Sequence, residues 1–128
     1  MGALAARWKF KGTQTKKMTR MEISERRREA VEEFVRRALS RYGDRIESII
    51  LFGSVARGEA KEDSDIDILV VTKKEDFRLR RMLIEIAFDI LLDTGENISV
   101  KALSKDEFER HKNFSFLRSV ISEGIKIA

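Results

Sequence analysis

The stretch from Ile50 to Val71 constrains this chain more than any other. Ile50-Leu51-Phe52 is an apolar run that ends in Gly53-Ser54, with Val55-Ala56-Arg57-Gly58 behind it. After a polar segment, Ser64-Asp65-Ile66-Asp67 opens a second apolar run, Ile68-Leu69-Val70-Val71. Short Ile/Leu/Val runs bounded by turn residues read as buried strands. Side chains alternate across a strand, so Asp65 and Asp67 are expected on one face, with α-carbons about 6.5–7 Å apart. Asp is disfavoured in strands, and two carboxylates this close repel unless a cation lies between them. Hard oxygen ligands suit a divalent metal. Gly53 lets backbone approach closely, and Ser54 can cap a short helix whose amide-rich start attracts phosphate. A metal on one side and a phosphate cradle on the other are the equipment of phosphoryl or nucleotidyl transfer.

The rest of the chain organises around these two strands. From about Glu22 to Tyr42, Ala30/Val31, Phe34/Val35, Ala38/Leu39 and Tyr42 recur at helical spacing. Thr19 and Glu22 have capping-box spacing, and Gly43 stops the helix. Glu and Arg alternate at i,i+4 on its other faces, which reads as a solvated surface. The first strand is expected over Ile46–Phe52, a short helix from Ser54 to Arg57-Gly58, a polar loop over Glu59–Ser64, and the second strand over Ile66–Thr72. A second long helix is expected from Asp76 to about Leu92, ended by Gly95 and Asn97. A third strand follows over Ile98–Leu103, with Ser99 and Lys101 on the face opposite Ile98 and Val100. Ser104-Lys105-Asp106-Glu107 has capping-box spacing. Phe108, Phe114, Phe116, Leu117, Val120 and Ile121 then carry apolar faces through one broken or two short helices. Gly124 ends the last, leaving Ile125–Ala128 as an extended tail. Three strands interleaved with helices make a small α/β domain, with the helices on one face and the aspartates on the open one.

At 128 residues the chain is long enough for one modest core, and its 42% hydrophobic and 38% charged content is that of a globular protein at the charged end. It has no cysteine, which excludes disulfides and thiolate metal sites and fits a reducing cytoplasm. No apolar run approaches the roughly 18 residues needed to cross a membrane, so no membrane partner is expected. The net charge is +4, but residues 1–20 hold six cations (Arg7, Lys9, Lys11, Lys16, Lys17, Arg20) and no acid. The remaining residues therefore net −2, and a basic surface for nucleic acid would belong to that segment alone. Residues 1–20 have no hydrophobic period and read as a disordered basic extension, with Met18 and Met21 as alternative starts. Residues 21–128 read as a single domain. His111, the only histidine, has no metal-like spacing and reads as a surface helix residue.

Gly53-Ser54 followed by Asp65-Ile66-Asp67 resembles the signature of the DNA polymerase beta-like nucleotidyltransferase superfamily. The run from Gly53 to Val71 is similar to the minimal nucleotidyltransferases, small prokaryotic proteins that include the MNT-type antitoxins. The resemblance extends from about Arg45 to the C-terminus and implies that family's fold: a short mixed sheet with helices on one face and an open active-site face. It implies that Asp65 and Asp67 are the catalytic residues and hold Mg2+, two ions when a nucleoside triphosphate is bound. It also implies that Gly53, Ser54 and Arg57 bind the nucleotide, ATP foremost. Arg57 either reaches the triphosphate or braces the turn by pairing with a carboxylate such as Asp67. The MNT antitoxins further imply a partner, a HEPN-type toxin that could carry the acceptor hydroxyl.

One departure stands out. Catalytic members of the superfamily usually carry a third carboxylate on a later strand, where this chain reads Asn97-Ile98-Ser99-Val100-Lys101. Ser99 takes the open-face position and cannot act as a base at neutral pH. Glu96, Asp93 or no residue at all supplies the acid. Three readings follow: a magnesium-dependent nucleotidyltransferase acting on a hydroxyl, a non-catalytic nucleotide-binding antitoxin or interaction module, and a nucleic-acid accessory protein using the basic segment, the weakest of the three.

Overall fold

The structure is a computed structural model and describes residues 25–128. The start of the first helix at Glu22, its Thr19–Glu22 cap and the basic segment 1–20 lie outside the described residues. In chain order the elements are α1 (Glu25–Tyr42), a 3-10 turn (Gly43–Arg45), β1 (Ile46–Phe52), α2 (Gly53–Arg57), β2 (Ile66–Thr72), α3 (Phe77–Thr94), β3 (Ile98–Ser104), α4 (Lys105–His111), α5 (Ser115–Glu123) and β4 (Ile125–Lys126). They build a mixed four-stranded sheet in the order β3-β2-β1-β4. β1 runs antiparallel to β2 and β4, and β2 runs parallel to β3 across the α3 crossover.

Local chemistry explains the ends of the helices. Asp76 caps α3 by accepting from the Leu79 amide at 3.0 Å, and Gly95 closes it in the left-handed region at φ 83°. Ser104 and Glu107 form a reciprocal capping box at the start of α4. α1 buries Ala30, Val31, Phe34 and Ala38 along one stripe, and α3 buries Leu79, Leu83, Ile86 and Ile90. Both stripes pack on the sheet face carrying Ile49, Leu51, Ile66, Ile68 and Val70. Each such side chain, fully withdrawn from water, stabilises the fold by roughly 1.5–3 kcal/mol.

The expected β1 and β2 coincide with the observed strands; the differences lie elsewhere. The tail is not a free extension, because Ile125–Lys126 pairs with Leu51 and Ile50 as a fourth strand on the β1 edge. Nor are the helices confined to one face. Ile50, Leu69 and Val71 point to the second face and are covered by Phe108 of α4 and by Leu117 and Val120 of α5. The open part of that face runs from the corner where β2 begins, at Asp67, along the β3 edge past Lys101. Phe114 and Phe116, expected to supply apolar packing, are 64% and 42% exposed.

Candidate active site

Strand pairing decides what stands beside Asp67. Phe52 is its partner across the antiparallel pair and Ser99 its partner across the parallel one. Phe52, Asp67 and Ser99 therefore sit abreast on the second face, since residues in register share a side of the pleat. The chain turns into α2 immediately after Phe52. Gly53 adopts φ 78°, a conformation that side chains rarely accept. The turn seats the Asp67 carboxylate directly against the Gly53 backbone, where a Cβ would collide with Asp67 Oδ2. No other residue type fits there without displacing the carboxylate.

Asp65 lies just before β2 and is exposed, and its Oδ1 accepts from the Asn97 side-chain amide at 3.0 Å. Asp67 is half-buried, and its carboxyl pKa is raised, first by burial and then by the charge of Asp65. Lys101 and Arg57 pull it the other way. The carboxylate is thus held where its negative charge is undercompensated, the electrostatic signature of a group that gains by binding a cation. Two carboxylates, the Ser99 hydroxyl and the oxygens of a bound phosphate are a hard-oxygen donor set, which fits Mg2+.

Arg57 does not pair with Asp67. It bonds Glu59 at 3.0 Å and Glu123 of α5 at 3.3 Å, tying α2 to the C-terminal helix. The alternative acids for the third carboxylate are engaged elsewhere: Glu96 faces Arg26 and Arg27 at 3.6 and 3.7 Å, and Asp93 faces Arg37 at 3.6 Å. Among the described residues, no group of three His, Cys, Asp or Glu side chains is placed to hold a metal. Ser99 stands in register with Asp67. His111 stacks on Phe114, with ring centroids 4.9 Å apart.

The charge pattern of α1 puts Arg27 in a solvated run, and its position in the fold corrects that reading. It is buried at 9% exposure, and its guanidinium donates to the Lys61, Glu62 and Ser64 carbonyls. It thereby holds the loop that delivers Asp65 to the start of β2. The signal available in the sequence is positional, since Arg27 is three residues before Ala30 and so lies on the apolar stripe of α1.

A mixed sheet that turns through Gly-Ser at the end of one strand, against an Asp-x-Asp start on the next, is the architecture of a nucleotidyltransferase domain. The chain belongs to that family: the nucleotidyltransferase domain profile matches residues 16–127. A provisionally named protein adenylyltransferase of Methanocaldococcus jannaschii is 43% identical over 95 residues, covering 74% of this chain and 91% of the relative. A second relative from that organism, named in the same way, is 40% identical over 72 residues, covering 54% of this chain and 49% of its own. Two solved structures share the fold. One is a provisionally assigned nucleotidyltransferase from Sulfolobus solfataricus, with 22% identity, a TM-score of 0.53 and coverage of 84% of this chain and 86% of the other. The other is a point mutant of the MntA–HpeT toxin–antitoxin pair, with 21% identity, a TM-score of 0.51 and coverage of 76% and 71%. The chain is thus an enzyme of the nucleotidyltransferase family, of the minimal type. No helix among the described residues is long and apolar enough to cross a membrane.

Proposed function

We propose that this protein is a cytoplasmic, Mg2+-dependent nucleotidyltransferase that moves a nucleoside monophosphate, AMP foremost, from its triphosphate onto a hydroxyl of a partner protein. The observation that carries this reading is the half-buried Asp67 carboxylate, seated against the left-handed Gly53 with Asp65 beside it. The names of the Methanocaldococcus relatives support a protein acceptor, the toxin–antitoxin neighbour supports a protein partner, and the HEPN type of that partner is what the resemblance to the MNT antitoxins implies.

Each group has a task in this reading. Asp65 and Asp67 would hold the metal, one ion or two, which when bound would supply charge neutralisation of the phosphates and a lowered pKa of the attacking hydroxyl. Gly53 and Ser54 offer backbone amides and a hydroxyl to the phosphates beyond the bond that breaks. Asn97 orients Asp65 through its side-chain amide. Arg57 holds α2 through its Nε bond to Glu59 and its Nη1 bond to Glu123 and is close enough to influence Asp67, and its Nη2 donors remain to meet the triphosphate. The position of the general base falls to Ser99, which cannot take a proton at neutral pH, so the attacking hydroxyl loses its proton to water or to a carboxylate of the partner.

Titration calorimetry with MgATP tests the assignment. Asp65→Asn with Asp67→Asn abolishes metal-dependent binding while the fold persists, and unchanged affinity in the double variant would sink it. The register of Ser99 with Asp67 favours a second reading, a binding module with a remnant nucleotide pocket. Ser99→Asp separates the two. In an enzyme short of a base it raises transfer to the partner about tenfold or more, set against general-base effects of roughly 10²–10⁴. In a pure binding module neither form transfers.

A further inference from the structure

On the second face of the sheet, a hollow of about 230 Å3 opens between the edge strand β3 and the turn joining α4 to α5. Leu69, Lys101 and Leu103 form its floor and edge, and His111, Phe114 and Phe116 form its wall. It adjoins the candidate site. Leu69 and Lys101 are in register with each other and lie two residues beyond Asp67 and Ser99, on the same face. The Phe116 ring packs edge-on against Phe52, the strand partner of Asp67, with centroids 5.5 Å apart and an interplanar angle of 81°. An aromatic wall therefore runs from Asp67 through Phe52 and Phe116 to Phe114 and His111.

This wall contributes little to stability as it stands. Phe114 and Phe116 are 64% and 42% exposed, so most of the burial energy of the two rings is left unrealised in the fold. The chain keeps both of them in water at the rim of one hollow, with the Lys101 ammonium on the opposite rim.

The reaction geometry says which part of a substrate belongs there. In an in-line displacement the leaving pyrophosphate and the incoming hydroxyl lie on opposite sides of the reacting phosphorus. With the phosphates on α2, at the β1 end of the row Phe52–Asp67–Ser99, the hydroxyl arrives over Ser99. The nucleoside must then leave that line sideways, along the strands. In the direction of the strand starts it would meet Asp65 and Asn97, which are bonded to each other, before reaching a hollow lined by Ile84, Phe88 and Leu91 at the β3 edge. In the other direction it meets Leu69, Lys101 and the phenyl rings. We propose that the hollow receives the nucleobase of the triphosphate, stacked on Phe116 with its polar edge toward Lys101. The inference rests on the nucleotidyltransferase reading of Asp65 and Asp67 and adds where the base lies and which residue holds it.

Calorimetry with two probes, MgATP and magnesium tripolyphosphate, separates the base from the phosphates. Phe116→Ala weakens MgATP binding about 5- to 150-fold, the factor equivalent to a stacking contribution of roughly 1–3 kcal/mol, and leaves tripolyphosphate affinity unchanged. Phe116→Trp retains the affinity for MgATP, and its added fluorescence is quenched by MgATP and not by tripolyphosphate. Unchanged MgATP affinity in Phe116→Ala, or an equal loss for both probes, would overturn the proposal. Asp67→Asn tests the underlying reading separately, because it should weaken both probes alike. If it weakens neither while Phe116→Ala weakens MgATP alone, the metal assignment falls and the base site stands. If the wild type binds neither probe, both fall.

Discussion

Gly53→Ala tests the geometry on which the whole site depends. At φ 78° a residue bearing a Cβ loses roughly 1–2 kcal/mol relative to glycine. A domain of about this size loses about 4–8 °C of melting temperature per kcal/mol, so the backbone term alone lowers Tm by roughly 4–16 °C. The second term is local. The new Cβ would collide with Asp67 Oδ2 and lie 3.1 Å from its Cγ and 3.2 Å from its Cβ, so the carboxylate must swing away or the turn must open. Either movement removes the proposed metal-holding arrangement, and MgATP binding should disappear with it. Calorimetric melting in chelator, run in wild-type and Asp67→Ala backgrounds, separates the two terms. Neighbours in contact couple by about 0.5–3 kcal/mol, so Gly53→Ala should cost less once the Asp67 carboxylate is gone. An equal cost in both backgrounds would refute the crowding at Asp67. No cost in either would refute the left-handed turn itself.

Two further predictions bear on the same corner. Burial and Asp65 raise the Asp67 pKa above its unfolded value, so the native state favours the protonated form. The associated stability is fully present below the ordinary aspartate range and is lost as pH rises through the raised pKa. In metal-free buffer, Asp67→Asn should therefore raise Tm at about pH 7 and change it little at about pH 3, which a pair of thermal melts checks. Arg27→Met removes a buried guanidinium from three loop carbonyls and from Glu96, and should cost about 2–3 kcal/mol in urea unfolding. Hydrogen exchange over residues 59–64 should accelerate, and Arg27→Lys should restore only part of the protection, because an ammonium lacks the planar fork.

The parts of this fold that were legible in the sequence are those governed by local pattern. β1 and β2 are apolar runs with turn residues at both ends, and the Ser104–Glu107 cap announces α4 within four residues. Asp76 and Gly95 likewise mark the ends of α3. What escaped depends on partners distant in sequence. β4 is two residues long and becomes a strand only because β1 offers it an edge. Phe108, Leu117 and Val120 declare that α4 and α5 are amphipathic, but nothing local says which face of the sheet they cover. Arg57 finds Glu123 across 66 residues, and Arg27 finds the 61–64 loop from the far end of the domain. The candidate site divides in the same way. Asp65, Asp67, Gly53 and Ser54 announce themselves by type and spacing, whereas the register of Ser99 and the aromatic wall behind Phe52 exist only once the strands are paired.

The central claim is that this chain transfers a nucleotide to a partner protein through Asp65 and Asp67. Incubation of the purified protein with Mg2+, ATP labelled at the α-phosphate and the proposed HEPN-type partner tests that claim most directly. Gel autoradiography and intact-mass spectrometry follow the label. The account predicts covalent label on a hydroxyl side chain of the partner, a mass gain of one or more AMP units, and loss of both with EDTA or with Asp67→Asn. Label that survives the loss of Asp67 would contradict it, as would a partner that binds the protein tightly and never acquires nucleotide.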